Sequence, residues 1–547
     1  MKFVPGTKIS LLIFLLATSL NIAGQGVSYT WFYRVYFRDK GSKSASDYAL
    51  EELVSAKAIG RRAKAGITTP DIRDVPVSKE YTSIIESQGF TLHCTSKWMN
   101  SALYKTTSQA DPGKLNSLPF VRAVKIVKSS SKGSGYIDKS DPTVSLAALP
   151  PYDMTVTMVN GYPLHNSGYN GKGILIAVLD AGFTNAGQIS SLNGLRARKG
   201  IKDTYDFVLK NNNIYGYNSH GTNVLSVLAG KLEGEIEGTA QDADYLLLRT
   251  EDAGSEYPCE EDFWAAGAEY ADSTGADIIT SSLGYNNFDD AAMNYQLSDL
   301  DGNTAFITRV ADIAASKGIL VVNSAGNERS KPWKQIMFPA DGDSVLAVGA
   351  VDGNRIIAGF SSAGPSFYRR IKPDVSALGV YVPVQSSVAT TERASGTSFS
   401  CPLIAGMSAC LMQAVPQALN YEIIKALRAS SDRYNVPDSL YGYGIPDMKL
   451  ALSLLQDIYV KKPENLIVAS PNPTTGSFEL VFRSPPEVFS IEIVSADGKI
   501  ISRSNYSGYA GRTLLNDELS NKEQGLYFIR VITETGTTVL KIIKIKV

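Results

Sequence analysis

The chain has 547 residues, with 53 lysines and arginines against 54 aspartates and glutamates, which leaves a net charge of −1. This balance argues against nucleic acid as the main partner, and the length suits about three or four domains. The four cysteines are too few for a disulfide scaffold. Only three histidines are present, so any histidine-dependent chemistry must draw on His93, His165 or His220.

Residues 1–24 have the pattern of a secretory signal peptide. Two lysines supply positive charge, Ile9–Leu20 is an apolar stretch too short for an ordinary membrane span, and Ala23-Gly24 offers small residues for cleavage. The sequence therefore predicts an exported protein, either soluble or attached to a surface by other means.

Residues 25–127 are predicted to form a small α+β domain. We expect one helix from about Ser46 to Ala65 and a second helix that Ser78 caps and that ends near Gly89. The following segment, 128–150, is rich in serine and glycine and has the composition of a linker. Strands are predicted at Tyr33–Phe37, Phe90–His93, Ser101–Lys105 and Val121–Val127.

Residues 151–456 alternate between apolar runs and helical segments. Each run is apolar on both faces, which is typical of a parallel sheet covered by helices on both sides. The predicted fold of this region is α/β, with functional groups beyond the carboxyl ends of the strands. The runs are Ile174–Leu179, Tyr245–Leu248, Asp277–Thr280 and Ile319–Asn323.

A stretch without charge follows Gly396-Thr397 and extends to Glu422. Apolar or small residues fall on every face of it, so we expect a helix that is buried all round. Pro402 is tolerated in the first turn of a helix, which places Ser398 at or next to the helix N-terminus. Free backbone N–H groups there favour a developing negative charge. The alternative is that Ser398 is simply an N-cap.

Four residues supply the groups that acyl transfer from a serine requires. Asp180 ends an apolar run, His220 begins an apolar helical stretch, Asn327 follows a strand and Ser398 begins the buried helix. Histidine can take the serine proton, a buried carboxylate can orient the histidine, and an amide can bind the oxyanion. Taken singly, they also suit a helix cap, a core histidine and a turn residue.

The order Asp, His, Ser, with His220-Gly221-Thr222 and Gly396-Thr397-Ser398, resembles that of the subtilisin-like serine proteases, the S8 family. The resemblance extends over most of residues 151–456 through many separate motifs. Further matching stretches are Ser282-Leu283-Gly284, Ala325-Gly326-Asn327, Phe338-Pro339-Ala340, Val348-Gly349-Ala350, Phe360-Ser361-Ser362, Lys372-Pro373-Asp374 and Tyr443-Gly444.

Two positions depart from the family pattern. Ala181 stands where the family usually has serine or threonine, so the Asp180 carboxylate loses a hydroxyl donor and must find backbone donors. Asn223 stands where a second histidine is common. Neither change removes a catalytic atom.

The resemblance implies a subtilisin-like fold and a serine endopeptidase acting on protein or peptide substrates. Ser398 would be the nucleophile, His220 the general base, Asp180 its orienting partner and Asn327 an oxyanion donor. Substrate would lie against Ser282, Leu283, Gly284, Ser324, Ala325 and Gly326, with Met337 at the base of the pocket for the residue before the scissile bond. The alternative for that pocket is Glu328, which would supply a carboxylate if its loop folds inward.

This chemistry requires no cofactor. Members of the family often bind a structural Ca²⁺, but the sequence assigns no ligand for one, and no cysteine–histidine cluster has zinc spacing. The alternative function is a protease-like binding protein at the cell surface that is catalytically silent.

The N-terminal region resembles the propeptides of the same family at Asp74–Ser78 and Ser96–Asn100. Those propeptides are ferredoxin-like inhibitors that assist folding and are then removed. The resemblance therefore implies a zymogen that is inhibited by its own residues 25–127 and cut within 128–150. The alternative is a permanent accessory domain.

Residues 463–547 are predicted to form a β-sandwich, because short strands recur between turn signals. These strands are Phe478–Phe482, Phe489–Val494, Leu526–Ile532 and Thr538–Val547.

The same region resembles C-terminal sorting domains of the type IX secretion system at Pro471–Gly476, at Gly525–Val531 and in its lysine-rich end. The resemblance implies that the protein passes through the periplasm of a Gram-negative bacterium and meets the outer-membrane type IX machinery. It would then be secreted or attached to the cell surface. An ordinary substrate-binding sandwich is the alternative.

Overall fold

The computed structural model describes residues 30–129, 149–365, 370–461, 467–482, 487–507, 513–534 and 536–546. The predicted signal peptide and most of the predicted linker lie outside these ranges. Within them, no helix combines the length and apolar character needed to cross a membrane.

The N-terminal domain is a four-stranded antiparallel sheet in the order β2-β3-β1-β4, with short helices between the strands. Its elements are β1 (Trp31–Phe37), α1 (Leu50–Leu53), α2 (Ala56–Lys64), α3 (Lys79–Glu86), β2 (Thr91–Ser96), β3 (Ser101–Thr106), α4 (Pro112–Asn116) and β4 (Val121–Lys128). The predicted cap of α3 is confirmed, because Ser78 Oγ accepts a hydrogen bond from the N–H of Tyr81.

The prediction of one continuous helix from Ser46 to Ala65 is wrong. A 3₁₀ turn and two separate helices, α1 and α2, occupy this stretch. Val54 is extended, and Ser55 caps α2 by accepting from the N–H of Ala58. A serine that satisfies a free N–H group in this way starts a new helix, which hydrophobic spacing alone does not reveal.

The central domain contains the predicted parallel sheet, with seven strands in the order β13-β12-β11-β10-β5-β9-β6. Four further strands of the domain form two small sheets, β7-β8 and β14-β15. The strands of the whole domain are β5 (Leu175–Asp180), β6 (Ile201–Asp206), β7 (Lys231–Leu232), β8 (Ile236–Glu237), β9 (Asp244–Arg249), β10 (Ile278–Ser281), β11 (Leu320–Ser324), β12 (Val345–Val351), β13 (Val375–Leu378), β14 (Val382–Val384) and β15 (Glu392–Ala394). Its helices are α5 (Met154–Thr157), α6 (Tyr162–Asn166), α7 (Asn193–Ala197), α8 (His220–Ala229), α9 (Cys259–Thr274), α10 (Phe306–Ser316), α11 (Thr397–Ala414), α12 (Asn420–Ser430) and α13 (Met448–Lys461).

The sheet separates two apolar cores, as its two-sided strands require. Along β5, Ile176 and Val178 pack with residues of α8 and α11. The alternate residues Leu175, Ala177 and Leu179 pack with residues of α9 and α10 on the other face. The predicted α/β architecture is therefore confirmed.

Helix α11 is buried on all sides, as predicted, but Pro402 is not in its first turn. Pro402 is the sixth residue of the helix, which begins after Gly396, and Ser398 is the second. A proline at this position lacks the N–H that would bond to the carbonyl of Ser398, four residues earlier.

The N-terminal domain packs on the outer face of α9 and α10 through buried polar contacts. Arg34 donates through Nε to both carboxylate oxygens of Asp262, at 2.9 and 2.8 Å. Glu269 accepts from Ser96 Oγ at 2.6 Å and from the N–H of Trp98 at 3.0 Å. Because a buried charge is costly unless it is paired, these contacts define how the two domains dock.

The C-terminal domain consists of two antiparallel sheets, in the orders β16-β17-β20 and β19-β18-β21-β22. Buried residues from both sheets form one core, which confirms the predicted sandwich. The strands are β16 (Ile467–Ser470), β17 (Phe478–Phe482), β18 (Val488–Ser495), β19 (Ile500–Ser507), β20 (Thr513–Asn516), β21 (Gly525–Thr533) and β22 (Gly536–Lys544).

His93 lies buried at the contact between the N-terminal and central domains. Its Nε2 donates to the carbonyl oxygen of Phe207 at 2.9 Å, and within the described parts of the chain its Nδ1 has no hydrogen-bond partner. Burial lowers the pKa of His93 to about 4, against the attraction of the Phe207 carbonyl and with added repulsion from Lys105 and Lys210.

We predict that acid weakens the packing of the N-terminal domain through His93. The pKa is lower in the folded state, so the stabilisation is full above about pH 6.5 and is lost as pH falls toward 4, by up to about 3 kcal/mol. Urea unfolding at a series of pH values should show that the free energy of unfolding falls as pH is lowered through this range. His93→Gln should reduce this slope of free energy against pH. His165→Gln is the comparison: burial lowers the pKa of His165 as well, but this histidine bonds to Thr239 within the central domain, so its replacement should leave the contribution of His93 in place. An unchanged slope in His93→Gln would contradict the prediction.

Candidate active site

The four candidate catalytic residues lie at the ends of core elements. Asp180 is the last residue of β5, and His220 is the first residue of α8. Asn327 follows β11, and Ser398 lies in the first turn of α11. Strands β5, β10 and β11 are neighbours and parallel, so their carboxyl ends share one edge of the sheet.

Asp180 and His220 are in direct contact. The Nδ1 atom of His220 lies 2.8 Å from Oδ1 of Asp180, whose side chain is fully buried. Gly221 permits this approach, because a Cβ there would lie 2.6 Å from the carbonyl oxygen of Gly182 and 2.9 Å from Cβ of Asp180. The glycine after the histidine therefore lets α8 begin against the end of β5.

The Asp180 carboxylate has the backbone donor that the sequence required. The N–H of Ala181 donates to Oδ1 at 2.8 Å. Oδ2 is buried and accepts no hydrogen bond from any described residue. The Ala181 side chain has no hydroxyl to offer, and this carboxylate oxygen stays unsatisfied among the described residues.

Asn327 is held by the first residue of α11. Its Oδ1 accepts from the N–H of Thr397 at 3.0 Å and from Thr397 Oγ1 at 2.9 Å. These two bonds fix the plane of the side-chain amide. Its Nδ2 lies beside Gly396, where an added Cβ would be 3.4 Å away from it. Gly396 has a φ of 151°, which few other residues adopt. Ser398 is not an N-cap, because Gly396 occupies that position.

A cavity of about 200 Å³ adjoins these groups and is lined by Ser398 and Asn327. Of the seven predicted substrate-binding residues, it is also lined by Ser282, Gly284, Ser324, Gly326 and Met337. Leu283 and Ala325 belong instead to the apolar core beneath, because successive side chains of an extended segment point to opposite sides.

Met337 fills the space between the two predicted substrate segments. A Cβ on Gly284 would lie 2.8 Å from Met337 Cβ, and a Cβ on Gly326 would lie 2.7 Å from Met337 Cγ. Both glycines are therefore needed to admit the methionine. The side chain narrows the slot that a substrate side chain would enter.

Sequence reasoning missed two polar residues that line the same cavity. Glu256 and Asn286 are almost fully buried there, and Nδ2 of Asn286 finds no acceptor among the described residues. Glu328, the alternative carboxylate that the sequence offered for this pocket, does line the cavity and forms an ion pair with Lys331 at 2.9 Å. No pattern around Glu256 signalled this position, because it lies in a loop brought close only by folding.

Glu256 also belongs to a group of three buried carboxylates. One carboxylate oxygen each from Glu251, Glu256 and Glu260 lies within 4.8 Å of the others. Glu260 accepts from the N–H groups of Asp252 and Tyr257, and Glu251 accepts from the hydroxyl of Tyr285.

Three family models match separate parts of the chain. Residues 171–444 match the subtilase family, which is Peptidase S8, over half of the chain. The chain belongs to the subtilase family. Residues 32–141 match the Peptidase S8 propeptide domain of Bacteroidota, and residues 469–546 match a secretion system C-terminal sorting domain.

Curated relatives of this subtilase agree with the family assignment. Subtilisin E of Bacillus subtilis (strain 168) is 30% identical over 337 residues, which cover 60% of this chain and 78% of that protein. Subtilisin of Bacillus pumilus is 30% identical over 300 residues, covering 54% and 97% respectively. An alkaline protease of Shouchella clausii is 26% identical over 318 residues, covering 58% and 73%. Together with the propeptide and sorting domains, these matches support a secreted serine protease made as a zymogen.

Ser282 also stabilises the first turn of α11. The carbonyl oxygen of Ser398 has no helical donor, because the residue four positions later is Pro402. Ser282 Oγ donates to this oxygen at 2.8 Å. A residue that lines the cavity therefore replaces the hydrogen bond that the proline removes.

This contact predicts a measurable coupling between Ser282 and Pro402. Ser282→Ala should lower the free energy of unfolding by about 1–2 kcal/mol, because a buried carbonyl loses its donor. With Pro402→Ala present, the new N–H supplies that donor and the same change should cost less than about 0.5 kcal/mol. Urea unfolding of the four chains, each carrying Ser398→Ala to prevent proteolysis, measures the coupling. Equal costs in both backgrounds would exclude this role for Ser282.

Proposed function

We propose that this subtilase is a serine endopeptidase that hydrolyses peptide bonds through an acyl-enzyme on Ser398. The observation that carries the proposal is the 2.8 Å contact between His220 Nδ1 and Asp180 Oδ1. It is supported by the adjoining cavity, whose lining includes Ser398 and Asn327. Nothing else in the described chain combines a histidine, a buried carboxylate partner and a nucleophile at a helix N-terminus.

In the first step, Ser398 Oγ attacks the carbonyl carbon of the scissile peptide and its proton passes to Nε2 of His220. Asp180 accepts the Nδ1–H of His220, which fixes the ring tautomer and stabilises the imidazolium that forms. The imidazolium then protonates the leaving amine. A water molecule releases the acyl group by the same steps in reverse order.

The negative oxygen of the tetrahedral intermediate needs donors that are already in place. Nδ2 of Asn327 is one, because Thr397 holds the other end of the amide. The backbone N–H of Ser398 is the second, because an N–H in the first turn of a helix has no acceptor within that helix. Ser398 belongs to α11 and Asn327 is bonded to the first residue of that helix, so little reorganisation is needed during the reaction.

Substrate would bind as an extended strand against the segments 282–284 and 324–326, with Met337 limiting the side chain before the scissile bond. Protein and peptide chains are therefore the proposed substrates. The chemistry uses side chains and backbone alone, so it needs no cofactor, and any Ca²⁺ would serve only stability.

The remaining domains suggest how the enzyme is made and delivered. We infer that residues 25–127 inhibit the enzyme until cleavage within 128–150, and that the C-terminal sandwich is read by the type IX machinery after passage through the periplasm. The enzyme would then be released or held at the cell surface. The domain matches and the buried contacts of Arg34 and Glu269 support this sequence of events.

Ser398→Ala should abolish peptide cleavage and leave the fold intact, since a single oxygen is removed. A loss of about 10⁶-fold in kcat is expected, a magnitude taken from a related subtilisin. Ser408→Ala is the matched control, because Ser408 is buried in the same helix and its Oγ donates only to Ile404 O. A fluorophosphonate probe should label processed wild type and the control but not Ser398→Ala. Absence of labelling in processed wild type would favour a silent binding protein.

Met337 should restrict the substrate residue before the scissile bond to medium-sized apolar side chains. Met337→Gly empties the slot between Gly284 and Gly326, so kcat/KM for phenylalanine relative to valine at that position should rise about 10–100-fold. Met337→Leu keeps the volume and should leave the ratio nearly unchanged. A peptide library varied at that position measures both. A wild-type preference for arginine or lysine would instead assign selectivity to the carboxylates of Glu256 and Glu328.

A further inference from the structure

A second cavity, of about 430 Å³, opens where the N-terminal domain meets α10. Three arginines line it: Arg73 and Arg122 from the N-terminal domain, and Arg309 from α10 of the catalytic domain. We call this cavity, with Trp98 in its wall, the seam groove. It exists only while the two domains are packed together.

The three guanidinium groups lack the partners that other interface cations have. Across the described ranges, none of them forms an ion pair or donates a hydrogen bond, although Arg122 lies 5.3 Å from the centre of the Tyr36 ring. By contrast, the interface cation Arg34 is buried against Asp262. All three side chains are exposed, so water weakens their mutual repulsion, and their positive charge is left for a ligand to neutralise.

The nearby carboxylates are already engaged. Asp71 and Asp74 both pair with Lys317, at 3.0 and 2.9 Å, and Asp74 also pairs with Arg62. The single carboxylate in the groove lining is Asp312, and its Oδ1 accepts from the N–H of Ser344 at 2.9 Å. The groove therefore keeps an excess of positive charge.

A buried donor in the groove wall is also without an acceptor. Trp98 is only 5% exposed, and its Nε1–H has no hydrogen-bond partner in the part of the chain that the structure describes. An indole N–H is a donor only and usually finds an acceptor when buried. Trp98 therefore leaves one donor beside the groove without an acceptor among the described residues.

The arrangement of the donors selects the class of ligand. The arginines come from three separate segments, namely the loop after α2, strand β4 and helix α10. A carboxylate offers two oxygens in one plane, whereas a phosphate or sulfate group offers oxygens in tetrahedral directions. Arginine forks match such oxyanions closely. We propose that the seam groove binds a phosphate- or sulfate-class oxyanion through Arg73, Arg122 and Arg309.

This ligand would hold the N-terminal domain on the catalytic domain. A ligand that binds only the docked arrangement stabilises that arrangement, because binding and docking are linked equilibria. Given the proposed function, in which the N-terminal domain inhibits the protease, an oxyanion would delay activation. If the oxyanion dissociated when the protein reached another compartment, release of the N-terminal domain from the catalytic domain would then be favoured.

The binding test does not depend on catalysis. The full chain carrying Ser398→Ala is titrated with inorganic phosphate by calorimetry, at an ionic strength kept constant with sodium chloride because salt screens exposed charges. Saturable binding is expected, and each of Arg73→Gln, Arg122→Gln and Arg309→Gln should weaken it about tenfold. Lys114→Gln removes an exposed cation outside the groove and should have no effect. Binding that is absent, or that no arginine change weakens, would overturn the site.

The source of the oxyanion is distinguished in a second arm. Vesicles of phosphatidylcholine with and without phosphatidic acid are added to the same chain and sedimented. Arginine-dependent binding to the acidic vesicles would assign the phosphate to a lipid headgroup, and binding to free phosphate alone would assign it to a soluble ion. Tighter arginine-dependent binding of a glutamate-rich peptide than of either phosphate source would overturn the oxyanion class.

The regulatory consequence is read separately in the wild-type chain. Phosphate should slow the loss of the N-terminal domain in wild type and have a smaller effect in Arg309→Gln. If phosphate binds the Ser398→Ala chain but wild type never cleaves peptide, the proposed function fails and the site stands. If wild type cleaves peptide but phosphate does not bind, the site fails and the protease stands.

Discussion

The position of Ser398 depends on the complete burial of α11. This helix packs beneath the parallel sheet along most of its length, so it cannot shift without disturbing β10, β11 and β12 at once. Its first turn is held from both sides, by Thr397 on Asn327 and by Ser282 on the carbonyl of Ser398. A nucleophile on such a helix keeps its geometry, because its supports are themselves part of the core.

Buried groups with fixed partners also explain the docking of the N-terminal domain. Arg34 and Glu269 are buried at the interface and are satisfied only by partners across it, so a displaced domain would leave unpaired charge or carboxylate in an apolar surrounding. Such contacts give a specific arrangement more than they give strength. The arginines of the seam groove differ from these two residues, because within the described ranges their guanidinium groups have neither an ion pair nor a hydrogen-bond acceptor.

The fold was largely predictable because its strongest signals are local. Runs that are apolar on both faces and alternate with helical segments are typical of a covered parallel sheet, and the two cores on either side of β5 agree with that pattern. Less local features were missed. The helix break at Ser55 depends on one side-chain hydrogen bond, and β19 is a largely polar strand at a sheet edge, with no apolar alternation to reveal it.

The sequence by itself determined the chemistry available to this protein. It contains few histidines, one serine at the start of an uncharged helix, and an aspartate and an asparagine at strand ends. These groups are the ones that acyl transfer requires, and that requirement does not depend on their order along the chain. The family resemblance added their roles.

Only the tertiary structure decided the shape and the surroundings of the site. Met337 lies between Gly284 and Gly326, Leu283 and Ala325 turn into the core, Glu256 reaches the cavity, and three arginines from distant segments meet at a domain boundary. The reason is physical: composition and spacing record which groups a segment carries, whereas contacts between segments far apart in the chain arise only when the whole core packs.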